Sequence, residues 1–433
     1  MSHKAVELLY GRGTLALKLP DDAQATIISK PPFPEAASAD EVFAEALANP
    51  VDCDSLEQLC QGCRSACILI CDITRPVPNH VFLQPMIRIM MNNGIEAANI
   101  TVLVATGLHR PNEGAELAEL VGDRWVLETV TVVNHFAQNE EDHVDLGKTQ
   151  TRGTPVGIDR RFVEADLRIA TGLVEPHFMA GYSGGRKVIA PGVAHHETIR
   201  TFHSARFMED PAATQCNLKH NPLHEEQLEI VRMLGDVYAV NTIIDEDRRL
   251  VYATFGEVIA SHLKAVEFVR GFTEIAVGRK FHTVVTSSAG YPLDQTYYQT
   301  VKGMVTPLDI LEPGGTLIIA SECAEGIGSQ HYREAQGRLV SLGPDAFLDT
   351  LLAKQLADVD EWQTEMQLKP MRTGKVGLYT TGLSEQDHEL TGVERVNDLT
   401  EAIAHSMAEH GDTAVAIIPE GPYVVPVSSA VGL

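Results

Sequence analysis

The sequence predicts an α/β fold with two domains, each built on a mainly parallel sheet. Continuous apolar runs, such as ACILICDI at 66–73, alternate with helical segments, as expected for buried parallel strands joined by helices. Several of these runs are followed directly by polar motifs. The length of 433 residues exceeds the usual size of a single hydrophobic core, so two domains are expected.

The first part of the chain alternates between strands and helices. Ser38 and Glu41 have the spacing of a capping box and predict the start of a helix. In chain order, the pattern predicts strands within 4–29, a helix to about 48, a strand at 66–73, a helix at 80–93, a strand at 100–105, a helix near 113–121, strands near 128–134 and at 166–170, a helix at 197–206, and helices at 223–234 and 255–269 around a strand near 241–245.

A domain boundary is predicted near 271–280, before a new apolar strand. The expected domains are therefore 1–272, which binds the cofactor, and 273–418, while the tail 419–433 could return to the first domain. The second domain is predicted to contain a strand at 283–287, a helix to about 311, a strand at 316–320, a helix at 344–357, a strand at 375–380, a helix at 400–409 and a strand at 413–418.

The overall charge restricts the partners of the protein. A formal net charge of −25 argues against nucleic acid and against an anionic membrane surface. The N-terminus does not resemble a signal peptide and no apolar run approaches the roughly 18 residues of a membrane span, so a cytoplasmic protein is expected. Five cysteines lie between Cys53 and Cys71. Cys67 and Cys71 flank ILI in a predicted strand, which favours core packing over a metal cluster.

Three predicted strands end in residues that could carry chemistry. Asp72 and Arg75 follow one strand, His109 follows the next, and Glu175 and His177 follow a third. Ligands of open α/β sheets bind outside the carboxyl ends of the strands. A surface ion pair, a loop histidine and a capped turn would explain these residues one by one, but their shared position at strand ends favours a common site.

The stretch 171–204 contains a cluster of glycines, Gly181, Gly184 and Gly185. Glycines allow positive φ and a close approach of the backbone to a ligand. Lys187 follows the cluster and precedes an apolar segment. A lysine against apolar surface loses its proton more easily and can act as a nucleophile or covalent anchor.

His203 lies on the predicted helix 197–206. His196 is two turns away, about 10 Å along the helix axis, and cannot share one ion with it. A metal on His203 would need ligands from elsewhere in the fold or from a cofactor. A core or capping histidine is the alternative interpretation.

Taken together, DITRPVP (72–78), ATGLHRP (105–111), EPHFMAGYSGGRK (175–187) and the helix ending at His203 resemble the lactate racemase family, almost end to end. These enzymes use a nickel-pincer nucleotide, pyridinium-3-thioamide-5-thiocarboxylic acid mononucleotide, which holds nickel through a carbon and two sulfurs. The resemblance implies two α/β domains with the active-site cleft between them.

The resemblance also implies roles for individual residues. Lys187 would tether the cofactor through a thioamide, and His203 would bind nickel. His109 and His177 would be the acid/base pair. The remaining implied residues are Arg75, Tyr298, Gln299, Lys302 and Trp362 for substrate binding, and Asp72, Gly181, Gly184 and Gly185 for seating the cofactor.

These roles suit the racemisation of a 2-hydroxy acid through hydride removal. A hydride acceptor is needed, which no side chain can be, and a base is needed for each enantiomer. Arg75 and Lys302 can bind the carboxylate. One histidine ligand is enough if the cofactor supplies three in a square plane, a geometry suited to Ni(II). Phe178, Tyr298 and Trp362 predict a small apolar pocket and favour lactate or a short aliphatic relative.

The sequence also bears on other functions. The same cofactor could serve a racemase or epimerase of malate or a sugar acid. An NAD-dependent dehydrogenase is disfavoured because the glycine cluster is not G-x-G-x-x-G. A nickel or nucleotide carrier would have little use for two further histidines and a substrate-binding set. The expected partners are the small anionic substrate and the proteins that synthesise and load the cofactor.

Overall fold

The computed structural model describes residues 6–35 and 38–428. They divide into two compact units. The N-terminal unit contains the described residues of 32–203 and 210–271, and the C-terminal unit contains 6–31, 204–209 and 272–428. Among the described residues, no helix combines the length and apolar character needed to cross a membrane.

The β-strands of the described chain are β1 (Val6–Tyr10), β2 (Gly13–Leu17), β3 (Gln24–Ile27), β4 (Ala66–Cys71), β5 (Ile100–Ala105), β6 (Thr131–Asn134), β7 (His143–Lys148), β8 (Pro155–Asp159), β9 (Leu167–Leu173), β10 (Pro176–His177), β11 (Gly181–Tyr182), β12 (Tyr238–Ile244), β13 (Leu250–Glu257), β14 (Glu274–Ala276), β15 (Phe281–Ser287), β16 (Leu311–Ala320), β17 (Lys375–Tyr379), β18 (Glu394–Val396), β19 (Ala414–Ile418) and β20 (Val425–Val427).

The α-helices are α1 (Ala39–Ala48), α2 (Leu56–Leu59), α3 (Asn79–Asn92), α4 (Gly114–Val121), α5 (Arg124–Thr129), α6 (Arg160–Val163), α7 (Arg186–Ile189), α8 (His196–Phe202), α9 (Ala205–Met208), α10 (Pro222–Leu234), α11 (Val258–Thr273), α12 (Tyr297–Val305), α13 (Gln330–Leu342), α14 (Pro344–Leu352), α15 (Glu361–Thr373), α16 (Glu385–Thr391) and α17 (Leu399–His410).

A six-stranded sheet forms the centre of the N-terminal unit, in the order β13-β12-β9-β4-β5-β6. All neighbouring pairs are parallel except β12 and β13. The apolar run at 66–71 forms the central strand β4, and all its residues except the last are buried. This burial explains the continuous hydrophobic pattern, since helices cover both faces of such sheets.

The sheet of the C-terminal unit also has six strands, in the order β18-β17-β16-β15-β19-β3, and all neighbouring pairs are parallel. The prediction of an α/β fold with mainly parallel sheets is therefore confirmed. The capping box at Ser38 is also present, since the Ser38 hydroxyl accepts from the Glu41 amide and the Glu41 carboxylate accepts from the Ser38 amide.

The grouping of the chain differs from the predicted domains at both ends. Residues 6–31, which the sequence placed in the N-terminal domain, belong to the C-terminal unit because β3 pairs with β19. In the tail, β20 pairs with β14 within the same unit. Residues 429–433 of the predicted returning tail lie outside the described residues.

Two of the predicted elements differ clearly from the structure. The helix predicted at 197–206 ends at Phe202, because Ser204 has an extended backbone (φ −75°, ψ 158°) and begins a separate short helix. Part of the strand predicted at 128–134 is helical, since the Asp123 carboxylate caps α5 by accepting from the amide of Trp125. Strand β6 begins only after this helix.

Candidate active site

The strand order of the N-terminal unit identifies a site at the carboxyl ends of β9, β4 and β5. Strand β4 has β5 as its neighbour on one side within the sheet and β9 as its neighbour on the other, so the strand order reverses direction at β4. This reversal is a topological switch point, the usual place for a ligand in an open α/β sheet. The three motifs predicted from the sequence follow these three adjacent strands.

Asp72 and His109 form a hydrogen-bonded pair. His109 Nδ1 lies 2.5 Å from Asp72 Oδ2, and the hydroxyl of Thr74 donates to Asp72 Oδ1 at 2.5 Å. Asp72 is 5% exposed, whereas the side chain of His109 is 58% exposed. Each oxygen of the buried Asp72 carboxylate thus takes part in a hydrogen bond, and the carboxylate fixes the orientation of the more accessible His109 imidazole.

The charge of Asp72 determines which nitrogen of His109 is basic. Burial alone would raise the pKa of the Asp72 carboxyl, but the hydrogen bonds and charges of its partners, His109 foremost, lower it below the usual value. The ionised carboxylate accepts the proton of Nδ1, so Nε2 carries the lone pair of neutral His109. After Nε2 takes up a proton, the imidazolium is stabilised by Asp72, as in other carboxylate–histidine pairs.

His177 is held in the opposite tautomer. Its Nδ1 accepts hydrogen bonds from the amides of Met179 and Ala180, at 3.3 and 3.2 Å. This assigns the proton of the neutral ring to Nε2, which becomes a hydrogen-bond donor. To act as a base at Nε2, or as a cationic acid, His177 has to carry a proton on Nδ1 and release these two amides.

Arg186 organises the loop that precedes Lys187. It is only 1% exposed, and its guanidinium donates to the carbonyl of Ala180 at 2.8 Å and approaches those of Ser183 and Gly184. Burial lowers the pKa of Arg186 to about 9. The imidazole of His262 packs behind this loop, with Nε2 2.8 Å from the carbonyl of Ser183.

The glycine cluster has a conformational explanation within this loop. All three glycines have positive φ, 78° at Gly181, 77° at Gly184 and 48° at Gly185. A Cβ at Gly181 would lie 2.4 Å from the carbonyl oxygen of Asn217, and one at Gly185 would lie 2.8 Å from the Cβ of His262. Protein atoms therefore occupy the space beside these glycines, and larger residues would force the loop to move.

Lys187 is half-buried on α7, directly after this loop. Burial, followed by the positive charges of Arg75 and Arg186, lowers the pKa of its ammonium group to about 7. A substantial fraction of Lys187 is then a neutral amine at neutral pH. A neutral amine is the nucleophilic form needed for covalent attachment.

His203 forms the C-cap of α8 and is oriented as a metal ligand would be. Its Nδ1 donates to the carbonyl of Ile199 at 2.8 Å, which leaves the lone pair on Nε2. Burial lowers the pKa of His203 to about 4, and the charge of Lys187 contributes to this shift. The imidazole is therefore neutral at pH 7, as metal binding requires, and Lys187 lies close enough to influence it.

Arg75 and Arg110 have different surroundings. The guanidinium of Arg110 makes two hydrogen bonds to the carboxylate of Glu116, at 2.6 and 2.7 Å, which makes it a surface ion pair. Arg75 has no carboxylate partner among residues 6–35 and 38–428, and its one side-chain hydrogen bond there goes to the carbonyl of Thr74 at 3.4 Å. Arg75 thus keeps its guanidinium available for an anion.

The remaining predicted substrate residues lie in the C-terminal unit, on the packed helices α12 and α15. Gln299 and Lys302 are neighbours on α12, and the Oε1 atom of Gln299 is buried without a hydrogen-bond partner among the described residues. Trp362 is 9% exposed. The side-chain amide of the next residue, Gln363, donates to the backbone carbonyl of Tyr298 at 2.6 Å. These two helices bring the four residues into one region of this unit.

Family profiles match both parts of the chain. Residues 10–215 match the lactate racemase N-terminal domain, and residues 278–426 match the lactate racemase C-terminal domain. A lactate racemase of Thermoanaerobacterium thermosaccharolyticum is 32% identical, over 97% of this chain and 98% of the relative. A lactate racemase of Lactiplantibacillus plantarum is 29% identical, over 97% of this chain and 99% of the relative.

Solved structures show the same fold. The lactate racemase apoprotein from T. thermosaccharolyticum superposes with a TM-score of 0.90 at 30% identity and covers 98% of this chain and 99% of its own. A Thermotoga maritima protein, 16% identical, has a TM-score of 0.64 and covers 91% of this chain and 99% of its own. At that identity, the second match concerns the fold alone.

Proposed function

The chain belongs to the lactate racemase family and is an isomerase, and from this premise we propose that it racemises a short 2-hydroxy acid, with lactate as the substrate. The two enzymes that match almost its whole length are both named lactate racemase. We place the reaction at the switch point of the N-terminal sheet, where the Asp72–His109 pair and His177 follow adjacent strands and Lys187 lies on α7, after the β10–β11 hairpin.

The residues at this site fit a nickel-pincer nucleotide. Lys187 has a partly neutral amine for covalent attachment, and His203 directs a lone pair away from its bond to Ile199. When bound, this cofactor supplies a hydride acceptor and three ligands to nickel. The fixed loop of Gly181, Gly184 and Gly185 would hold the segment before Lys187 in one conformation during attachment.

The side chains of the site can orient the substrate and move its hydroxyl proton. We assign the carboxylate of the 2-hydroxy acid to the guanidinium of Arg75, and Gln299 and Lys302 remain proposed substrate-binding residues. His109 Nε2 accepts the hydroxyl proton of one enantiomer as hydrogen leaves C2, and Asp72 stabilises the resulting imidazolium. His177 serves the hydroxyl of the other enantiomer through its own Nε2, once its Nδ1 carries a proton and has released the amides of Met179 and Ala180.

The observation that carries this proposal is that Lys187, with a pKa of about 7, lies close enough to His203 to lower its pKa, on the helix α7 that contacts the strand before Asp72. A dehydrogenase with a diffusible nucleotide needs neither a nucleophilic lysine nor a histidine metal ligand. The test is to produce the protein together with the cofactor-synthesis proteins and nickel, and to follow pure L-lactate by chiral chromatography, with malate and sugar acids as competitors. Turnover of malate but not lactate would move the assignment to another 2-hydroxy acid.

Lys187 is expected to carry the nucleotide covalently in the loaded protein. A peptide containing Lys187 should show an adduct by mass spectrometry, whereas Lys187→Ala should show none. Because the ammonium has a pKa of about 7, half of the amine is neutral at that pH, so the rate of attachment should rise with pH through 7 and level off above it as the neutral amine becomes the main form. An unmodified Lys187 in a nickel-containing, active sample would exclude the covalent link.

His203→Ala is expected to lose most of the cofactor-bound nickel, since it removes the only protein ligand assigned to that ion. Nickel per chain can be measured by mass spectrometry after removal of loosely bound metal. His220→Gln is the matched control, because its side chain is 79% exposed and lies beside Glu225 on the surface. Equal nickel in His203→Ala and the wild type would show that the ligand assignment is wrong.

A further inference from the structure

A second group of metal-binding side chains lies at the N-terminal end of α8, at the opposite end from His203. It consists of Glu140, His195 and His196, whose candidate ligand atoms all lie within 4.8 Å of one another. His195 Nε2 is 3.2 Å and His196 Nε2 is 3.8 Å from Glu140 Oε1. The proposed reaction uses none of these three residues.

These separations suit a bound ion. Nitrogen and oxygen ligands lie about 2.0–2.2 Å from zinc, so two ligands of a tetrahedral ion are roughly 3.3 Å apart. The two measured separations are 3.2 and 3.8 Å. Two imidazoles and one carboxylate also form a common ligand set for zinc, with a fourth position left for water.

The nitrogen of His195 lacks an adequate partner in the described part of the chain. His195 is 8% exposed, and its Nε2 is buried without a hydrogen bond. The carboxylate of Glu140 is 3.2 Å away but makes no hydrogen bond with this nitrogen. A buried polar atom without a partner needs an explanation, and an ion bound to both groups provides one.

The three side chains are attached to well-defined backbone. The amide of His195 donates to the carbonyl of Gly157, and that of His196 donates to the carbonyl of Ala137, both at 2.9 Å. Glu140 begins a short turn that follows Asn139. His143 Nδ1 is 2.7 Å from the carbonyl of Asn139, and this hydrogen bond fixes the turn. The backbone positions of the three ligands are therefore fixed before an ion binds.

From this geometry we propose that Glu140, His195 and His196 bind one divalent transition-metal ion, with zinc as the expected occupant. The ion links the turn at 140–142 to the start of α8, the helix that ends at His203. Binding through His195 Nε2 leaves the ring proton on Nδ1, so it costs the long 3.3 Å hydrogen bond that Nδ1 accepts from the amide of Glu197.

The test is calorimetric titration of the full-length protein with Zn²⁺, in a His203→Ala background that removes the nickel ligand. One zinc ion per chain should bind. Loss of a partner outside the first coordination sphere already weakens metal binding about 10–100-fold, so Glu140→Gln, which removes a direct ligand, should weaken it at least as much. In the same background, a variant that carries both Glu140→Gln and His196→Gln should not bind zinc measurably. His220→Gln should bind zinc like the parent.

Thermal unfolding provides the second measurement. Zinc should raise the Tm of the parent and of His220→Gln, but not that of the double variant, because only binding to the folded state stabilises it. The Glu140 side chain is 78% exposed, so Glu140→Gln should fold normally and remain informative if the double variant does not. Absence of zinc binding in the parent, or equal affinity in Glu140→Gln, would overturn the proposal.

Discussion

Replacing either His109 or His177 by alanine is expected to abolish racemisation in both directions. Each complete turnover moves a hydroxyl proton onto one imidazole and back to the product from the other, so neither residue can be omitted. General acid–base groups typically contribute about 10²–10⁴-fold to the rate, and kcat should fall by that factor or more from either enantiomer. The measurement is the initial rate with pure D-lactate and pure L-lactate.

His220→Gln provides the control for this experiment as well and should retain the rate of the wild type. Nickel content and adduct mass should be unchanged in the two alanine variants, because neither residue is assigned to the cofactor. Near-normal racemisation by His109→Ala or His177→Ala would contradict the two-base mechanism.

Asp72→Asn is expected to have the next largest effect, a decrease in kcat of roughly 10²–10⁴-fold. The carboxylate accepts the Nδ1 proton of His109 at 2.5 Å and is held by Thr74, so it fixes the tautomer with a basic Nε2. An asparagine amide can present N–H instead and favour the wrong tautomer. KM should change much less than kcat, since Arg75 is left in place.

The same variant separates two roles for Asp72. The resemblance of the sequence to the family implies that Asp72 helps to seat the cofactor. In the structure, however, the Asp72 carboxylate contacts His109. If it positions His109, Asp72→Asn should keep its nickel and its Lys187 adduct while losing kcat. If cofactor content falls in parallel with activity, Asp72 acts mainly by seating the nucleotide.

Much of the N-terminal sheet could be predicted because its buried strands are continuous runs of apolar residues. β5 was predicted at its observed bounds, and β4 within two residues, since buried parallel strands produce uninterrupted apolar runs. The placement of Asp72, His109 and His177 after adjacent strands followed from the same pattern. Cys67 is buried in β4, as expected for core packing, and burial raises the pKa of Cys71 beside it to about 11.

Helix α15 escaped the sequence prediction, although Trp362 lies on it. Its buried positions include polar residues such as Gln363, Glu365 and Gln367, which remove the apolar periodicity used to recognise a helix. Glu365 shows how unfavourable the burial of a carboxylate is, since burial raises its pKa to about 8. Only the packed structure shows that these side chains face the interior.

Arg186 and Glu140 were missed for related reasons. A charged residue is expected at the surface, so the buried guanidinium of Arg186 could not be predicted, even though it directly precedes Lys187. The triad of Glu140, His195 and His196 combines segments more than 50 positions apart in the sequence. Without the fold, only the adjacency of the two histidines was visible.

Racemisation of L-lactate in D₂O tests the central claim most directly. If hydrogen leaves C2 as hydride and only the hydroxyl proton passes through His109 and His177, the D-lactate formed should keep protium at C2. Mass spectrometry and proton NMR of the product, sampled early in the reaction, measure this directly. Deuterium at C2 in newly formed D-lactate would instead show that a side chain removes the C2 hydrogen as a proton, and would contradict the proposed mechanism.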